Sequence, residues 1–176
     1  MAEEFQIGPE TTFGEFVRHK AETVGDKVYL TYIRDFDRAI DEKYTYRDMH
    51  LRSNRLANGL LALGLEKGDG ISLVEINSPE FLFTVFASAK LGMYTVLVNT
   101  GLRGDSLQYI IDHSDTKFLF GEGQEEVDKA ISIIDDCPKL KKIIWDDPKG
   151  MRNYDQDYLI SFKEVMEMGR QLDKEQ

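Results

Sequence analysis

Apolar positions along this chain keep helical spacing in some stretches and strand spacing in others, and the two alternate. Thr12 and Glu15 have capping-box spacing and predict a helix from Phe13 to about Thr23. Val28 to Ile33 alternates and is rich in β-formers, so it predicts a strand. The polar stretch Arg34 to Glu42 predicts a turn, with Lys43 to Tyr46 as the antiparallel partner. Thr45 and Asp48 repeat the capping signature. Met49, Leu56, Leu60 and Leu63 then recur on one helical face, closed by Gly64.

A turn-rich connection, Gly64 to Gly70, leads into a regular half. Ile71 to Ile76 predicts a strand. Ser78 and Pro79 form an N-cap and first-turn proline for a helix ending at Leu91, before Gly92. Tyr94 to Val98 predicts the next strand, and Gly104 and Asp105 open a helix carrying Leu107, Ile110 and Ile111. Lys117 to Phe120, Glu125 to Asp135 and Lys142 to Trp145 continue as strand, helix and strand. This alternation predicts an α/β fold: a largely parallel sheet with helices on both faces, plus an N-terminal antiparallel hairpin. Asp146 to Gly150 reads as a loop. Ser161 and Glu164 offer a third capping pair, for a helix through about Met168, and the polar stretch 169–176 reads as a frayed tail.

Composition narrows the class. The chain has 176 residues, 41% hydrophobic and 31% charged, which suits one globular domain over 1–176. A net charge of −10 argues against non-specific nucleic-acid or membrane-surface binding. The single cysteine, Cys137, forms no intrachain disulfide and reads as a structural thiol suited to a reducing compartment. The acidic start lacks the apolar region of a secretory signal. The apolar stretch Phe81 to Ala89 is far shorter than the roughly 20 residues that span a bilayer.

Catalytic constellations are scarce. His19, His50 and His113 fall on three separate predicted helices, without metal-ligand spacing. Neither a Gly-x-Ser-x-Gly elbow nor a Walker phosphate loop occurs. Gly121-Glu-Gly123 sits between strand and helix like a dinucleotide fingerprint. Its third glycine is Glu126, however, and Glu122 and Glu125 would repel a pyrophosphate. A plain turn is the better reading. The acidic helix that follows carries one lysine, Lys129, and reads as a solvated face. The loop Val98 to Gly104 stands out, because ligands of open α/β sheets bind beyond the carboxyl ends of the strands. Gly101 and Gly104 permit close backbone approach there, and Arg103 supplies a charge.

The motifs also form a series. Thr45-Tyr-Arg-Asp48, Leu56-Ala-Asn-Gly-Leu60 and Gly68-Asp69 before Ile71-Ser-Leu-Val74 come first. Asn77-Ser-Pro-Glu-Phe81, Lys90-Leu-Gly92, Val98-Asn99 and Leu102-Arg-Gly104 with Ser106-Leu-Gln-Tyr109 follow. In order and spacing this series resembles the first subdomain of adenylate-forming acyl-CoA synthetases, nearest the long-chain fatty acid and fatty-acid-transport-type ligases. The resemblance covers about residues 10–168.

The resemblance implies a two-step ligase using ATP, Mg2+ and coenzyme A (CoA). A carboxylate attacks the α-phosphate of ATP, and the CoA thiol then displaces AMP. The family's Ser/Thr/Gly-rich phosphate loop, its ribose-binding acid and its C-terminal catalytic lysine do not occur here. The chain is therefore expected to be the N-terminal subdomain of a longer ligase, inactive alone, with no catalytic or metal-binding residue of its own. Similarity to acetyl-CoA synthetases maps a border of the CoA channel onto Asn99, Thr100 and Gly101; the first two depart from that pattern, where an aromatic and a glycine are expected. The implied partners are the remainder of the ligase and a fatty acid, or a carnitine-type or aryl acid. The implied location is the cytoplasm, and an exposed packing surface implies self-association. A stand-alone α/β binding module and a dinucleotide-binding domain are the competing readings.

Overall fold

The computed structural model describes residues 7–172. The acidic start and the last four residues of the expected tail lie outside them. The chain opens with helix α1 (Phe13–Thr23) and a hairpin of β1 (Val28–Asp35) and β2 (Ile40–Thr45), followed by α2 (Tyr46–Ala62). Then come β3 (Gly70–Val74), α3 (Pro79–Leu91), β4 (Tyr94–Leu97), α4 (Asp105–His113), β5 (Thr116–Gly121) and α5 (Gln124–Ile131). The chain continues through β6 (Lys142–Trp145) and β7 (Leu159–Ser161) to α6 (Phe162–Leu172). The hairpin is antiparallel, and the second sheet is parallel throughout, in the order β4-β3-β5-β6-β7.

Local chemistry sets the helix starts. Thr12 with Glu15 and Thr45 with Asp48 form complete capping boxes. Ser161 Oγ accepts the backbone N–H of Glu164 at 3.2 Å, and the Ser161 N–H donates to the Glu164 carboxylate at 2.9 Å. Ser78 Oγ accepts the N–H of Phe81 ahead of the first-turn proline.

The sheet separates two apolar layers because successive side chains of a strand point to opposite faces. Ile71, Leu73, Phe118, Phe120 and Ile144 meet Met49, Leu56 and Leu60 of α2, Phe83 of α3 and Val165 of α6. Val74, Leu119 and Ile143 meet Leu107 and Ile111 of α4 and Val127 and Ala130 of α5. Helices thus cover both faces, as the alternation predicted.

Three boundaries differ from expectation by three residues or more, while others, such as the ends of β1 and β3, move by one or two. The second hairpin strand starts at Ile40, before Lys43, because Tyr32 pairs with Glu42 and Ile33 with Asp41. The helix expected to reach Asp135 ends at Ile131. Ser132 Oγ turns back onto the Lys129 carbonyl at 2.7 Å, and a short 3-10 turn over Ile134–Asp136 follows. The last helix runs past Met168 to Leu172, so residues 169–172 are helical where fraying was expected. Gly169 is buried, at a point where a Cβ would strike the Arg55 carbonyl of α2.

Candidate ligand site at the carboxyl edge of the sheet

β4 lies on one side of β3 and β5 on the other, so the chain reverses direction across the sheet between β3 and β5. In parallel sheets, ligands bind at such a switch point, beyond the carboxyl ends of the strands. Here that edge is made by the segments after β3 (Glu75–Ser78), β4 (Val98–Gly104), β5 (Glu122, Gly123) and β6 (Asp146, Asp147).

The loop after β4 is an ordered turn. Val98 N–H still donates to the Leu73 carbonyl at 2.9 Å, continuing the ladder. Asn99 Oδ1 then accepts the N–H of Gly101 at 2.7 Å, and the Leu102 N–H reaches the Asn99 carbonyl at 3.1 Å. Asn99 and Gly101 are exposed and Thr100 is half-buried, so the three expected residues share one turn at the edge. Gly104 closes the loop at φ 54°, ψ −138°, a conformation that favours glycine.

Lys129 of α5 holds this loop. Its ammonium donates to the Thr100 carbonyl at 2.8 Å and pairs with Glu125 at 2.7 Å and Glu126 at 3.5 Å. Its side chain is only 8% exposed, so Lys129 departs from the expected solvated face, whereas Glu125, Asp128, Asp135 and Asp136 are exposed. Arg103 approaches Glu125 at 3.6 Å and remains exposed.

The switch point itself is acidic. Glu75 is buried, and burial together with Asp146, Glu80 and Glu122 pushes its carboxyl up to about 8. Burial and Glu80 push Asp146 up to about 6, against the field of Arg34. Burial also raises Glu122, whose carboxylate accepts from the Ile76 backbone. Nothing here would favour a pyrophosphate beside Gly121 and Gly123, and the segment is a strand-to-helix turn.

The histidines stay apart, on α1, α2 and α4. His50 lies beside Lys90, whose ammonium also donates to Ser53 Oγ at 2.7 Å and Asn54 Oδ1 at 2.8 Å. His113 stacks on Tyr109. Cys137 is buried, and burial raises its thiol. Among the described residues, no three His, Cys, Asp or Glu are grouped so as to hold a metal ion. Lys129, Glu75, Glu80 and Asp146 escaped sequence reasoning. The one available signal was Glu75, a carboxylate inside the apolar run Ile71 to Ile76.

A doubly wound α/β layer with an ordered loop and a switch point at its carboxyl edge defines a ligand-binding class of fold. A family model described as AMP-binding enzyme matches residues 17–167, and the chain belongs to that family. Over 99 residues it is 36% identical to the long-chain-fatty-acid–CoA ligase FadD13 of Mycobacterium tuberculosis, a stretch that is 56% of this chain and 20% of that protein. Over 104 residues it is 34% identical to the crotonobetaine/carnitine–CoA ligase of Salmonella paratyphi A, covering 59% and 20% of the two chains. The solved structure of the anthranilate CoA ligase AuaEII with anthranoyl-AMP matches with a TM-score of 0.74 at 22% identity, over 92% of this chain and 29% of that one; this likeness is one of fold. The chain spans about a fifth of the length of these curated relatives.

Proposed function

We propose that this chain is part of an AMP-forming fatty acyl-CoA ligase, and that it borders the site without performing the chemistry. The family match across residues 17–167 carries this reading. The complete ligase would join a fatty acid to the α-phosphate of ATP, releasing pyrophosphate. The CoA thiol would then attack the acyl carbonyl, and AMP would leave. The fatty acid is favoured by the likeness to a long-chain-fatty-acid–CoA ligase; the likeness to a carnitine-type ligase keeps that acid as the second reading.

In this reading Asn99, Thr100 and Gly101 border the CoA channel. Their turn is rigid and partly exposed, and Gly101 presents bare backbone. Exposed Arg103 stands ready beside them for a phosphate of CoA. The Mg2+ that the family implies does not fit here, since the described residues offer no metal-holding group, and no step is assigned to it in this chain. The remainder of the ligase supplies the ATP site, and we place the enzyme in the cytoplasm, where a single buried free cysteine is at home. Among the described residues, no helix is long and apolar enough to cross a membrane.

Two measurements test this. The chain alone is expected to show no ATP–pyrophosphate exchange with palmitate; robust exchange would overturn its role as a non-catalytic part. The native reading frame is expected to continue beyond Gln176 into a Ser/Thr/Gly-rich loop ending in lysine. A stop codon at that point would favour a stand-alone module.

A further inference from the structure

The crevice between the carboxyl ends of β3 and β5 is lined by acids from four separate segments. Glu75 follows β3, Glu122 follows β5, Asp146 follows β6, and Glu80 stands in the first turn of α3. The side chain of Glu75 faces the charges of Asp146, Glu80 and Glu122. Glu75 is only 9% exposed. Its Oε1 is buried without a hydrogen-bond partner, and so is Oε2 of Glu80.

A buried carboxylate oxygen left without a donor is costly, and proteins normally satisfy it. Arg34 is a cation whose field reaches Glu80 and Asp146. Its guanidinium is engaged elsewhere, donating from Nε to Glu42 Oε1 at 2.6 Å and from Nη2 to Glu42 Oε2 at 3.0 Å. Among the described residues no positive charge offsets Glu75, so the crevice can take one from outside them.

Geometry narrows the kind of cation. A metal ion needs several carboxylates converging on one point, and no three acids do so here. Carboxylates spaced along a crevice suit a broad planar cation with several donors. A guanidinium has five N–H groups in a fixed fork and can bridge two acids. The rim also carries an apolar residue in need of cover: Ile76, next to Glu75, is 53% exposed. A buried carboxyl with an exposed apolar side chain next to it in the chain fits a segment of polypeptide better than a small ion.

We propose that the β3/β5 crevice is the seat of an arginine side chain from the polypeptide that completes the ligase, its guanidinium bridging Glu75 and Asp146 while the segment carrying it covers Ile76. This inference rests on the ligase reading above for the source of the arginine. It is consistent with a chain that covers about a fifth of its relatives' length. The same crevice would repel a nucleotide phosphate, so the arginine joins parts of one enzyme and does not bind ATP.

The test uses agmatine, a guanidinium on a four-carbon stem that ends in an ammonium, added to this chain with its carboxyl groups observed by carbon NMR. Agmatine is expected to shift the Glu75, Glu80 and Asp146 carboxyls saturably and to lower the pH at which Glu75 titrates by about one to three. Tetramethylammonium at equal ionic strength, which has no N–H donor, is expected to do neither. Glu75→Gln and Asp146→Asn are each expected to weaken agmatine about tenfold or more while keeping the amide spectrum of the folded chain. No saturable shift, or a shift that both variants retain, would overturn the proposal. The ligase reading fails separately, by the reading frame beyond Gln176, and agmatine binding does not depend on it.

Discussion

The ammonium of Lys129 on α5 donates to the carbonyl of Thr100, 2.8 Å away in the loop after β4, and so fixes that loop to the helix on the far side of β5. The same ammonium neutralises Glu125 and Glu126. Lys129→Met keeps the stem and removes the charge, leaving the Thr100 carbonyl without its donor and Glu126, itself mostly buried, without its cation. Hydrogen bonds to charged groups contribute about 1.5–3 kcal/mol each when truncated, so urea unfolding should show a loss of about that size. Amide exchange should quicken at residues 99–104 and stay slow in β3. A loss below about 0.5 kcal/mol with unchanged exchange would show that the loop holds itself.

The acids of the switch point set the pH dependence. Glu75 titrates at about 8 and Asp146 at about 6, against ordinary values of 4.5 and 3.8. The native chain holds these protons more tightly than the unfolded chain. Between the ordinary and raised values the native state binds more protons, so stability falls as pH rises, levelling off above about 8. His50 acts in the opposite sense: burial and Lys90 hold its ring below the usual value, which favours the native state as pH rises through 6.5. Lys90, lowered to about 8 by burial, adds stability only above that pH. The larger displacement belongs to Glu75, so the net slope from pH 5 to 8 should be downward. Glu75→Gln should flatten it, with a urea midpoint above the parent's at pH 8 and near the parent's at pH 5. A variant less stable at both pH values would mean that Glu75 has a partner the structure does not show.

Gly169 of α6 faces the backbone of Arg55 and Gly59 in α2, and Gly59 in turn faces the Val165 carbonyl. Alanine is normally the better helix residue by about 1 kcal/mol. Here its methyl would collide with the Arg55 carbonyl, whose helix would have to move. Gly169→Ala should therefore destabilise by about 1–3 kcal/mol, the reverse of the propensity effect. Met168→Ala, one residue earlier and partly exposed, should change the urea midpoint by less than about 0.5 kcal/mol equivalent. A Gly169→Ala variant that gains stability would mean that α6 can move away from α2 without loss.

What was legible follows the range of the interaction involved. Thr12 with Glu15 and Thr45 with Asp48 are contacts over three residues, and their helices start where the sequence predicts. The apolar runs of β3, β5 and β6 mark strands buried on both faces, and they lie in the parallel sheet. β7 escaped notice because Leu159–Ser161 is three residues long and is a strand only through its pairing with β6. The end of α6 escaped because a polar stretch reads as a frayed tail, whereas Gly169 packs on α2. At the carboxyl edge, the Val98–Gly104 loop was visible from its place after a strand. Lys129 was not, since a lysine among acids in sequence says nothing of a carbonyl 29 residues away in the chain. Glu75, Glu80, Glu122 and Asp146 meet only because the strand order brings their segments together.

The loop makes a separate demand of the complete ligase. If Gly101 borders the CoA channel, a branched side chain there narrows the channel without touching the ATP site. Gly101→Val should raise KM for CoA about tenfold or more and leave ATP–pyrophosphate exchange unchanged. Space at Gly101 is limited mainly by Asn99 Oδ1, 3.1 Å from where a Cβ would stand, so the fold should tolerate the change. Equal losses in both partial reactions would place the loop outside the CoA path.

The edge of the sheet predicts association of the chain in isolation. Among the described residues β4 pairs only with β3, leaving one side of its backbone without a neighbour in the sheet. Its Leu97 is 64% exposed, and Phe36 at the hairpin tip is 84% exposed. Unpaired edges and exposed apolar side chains both favour contact between copies. The net charge of −10 opposes it, and salt screens that repulsion over about 8 Å at physiological strength. Sedimentation velocity should therefore show self-association to a reversible dimer that strengthens with protein concentration and with added salt. Leu97→Lys places a charge on the edge and should weaken it at every salt concentration. A monomer at all concentrations, or a dimer indifferent to Leu97→Lys, would show that this edge is not where copies meet.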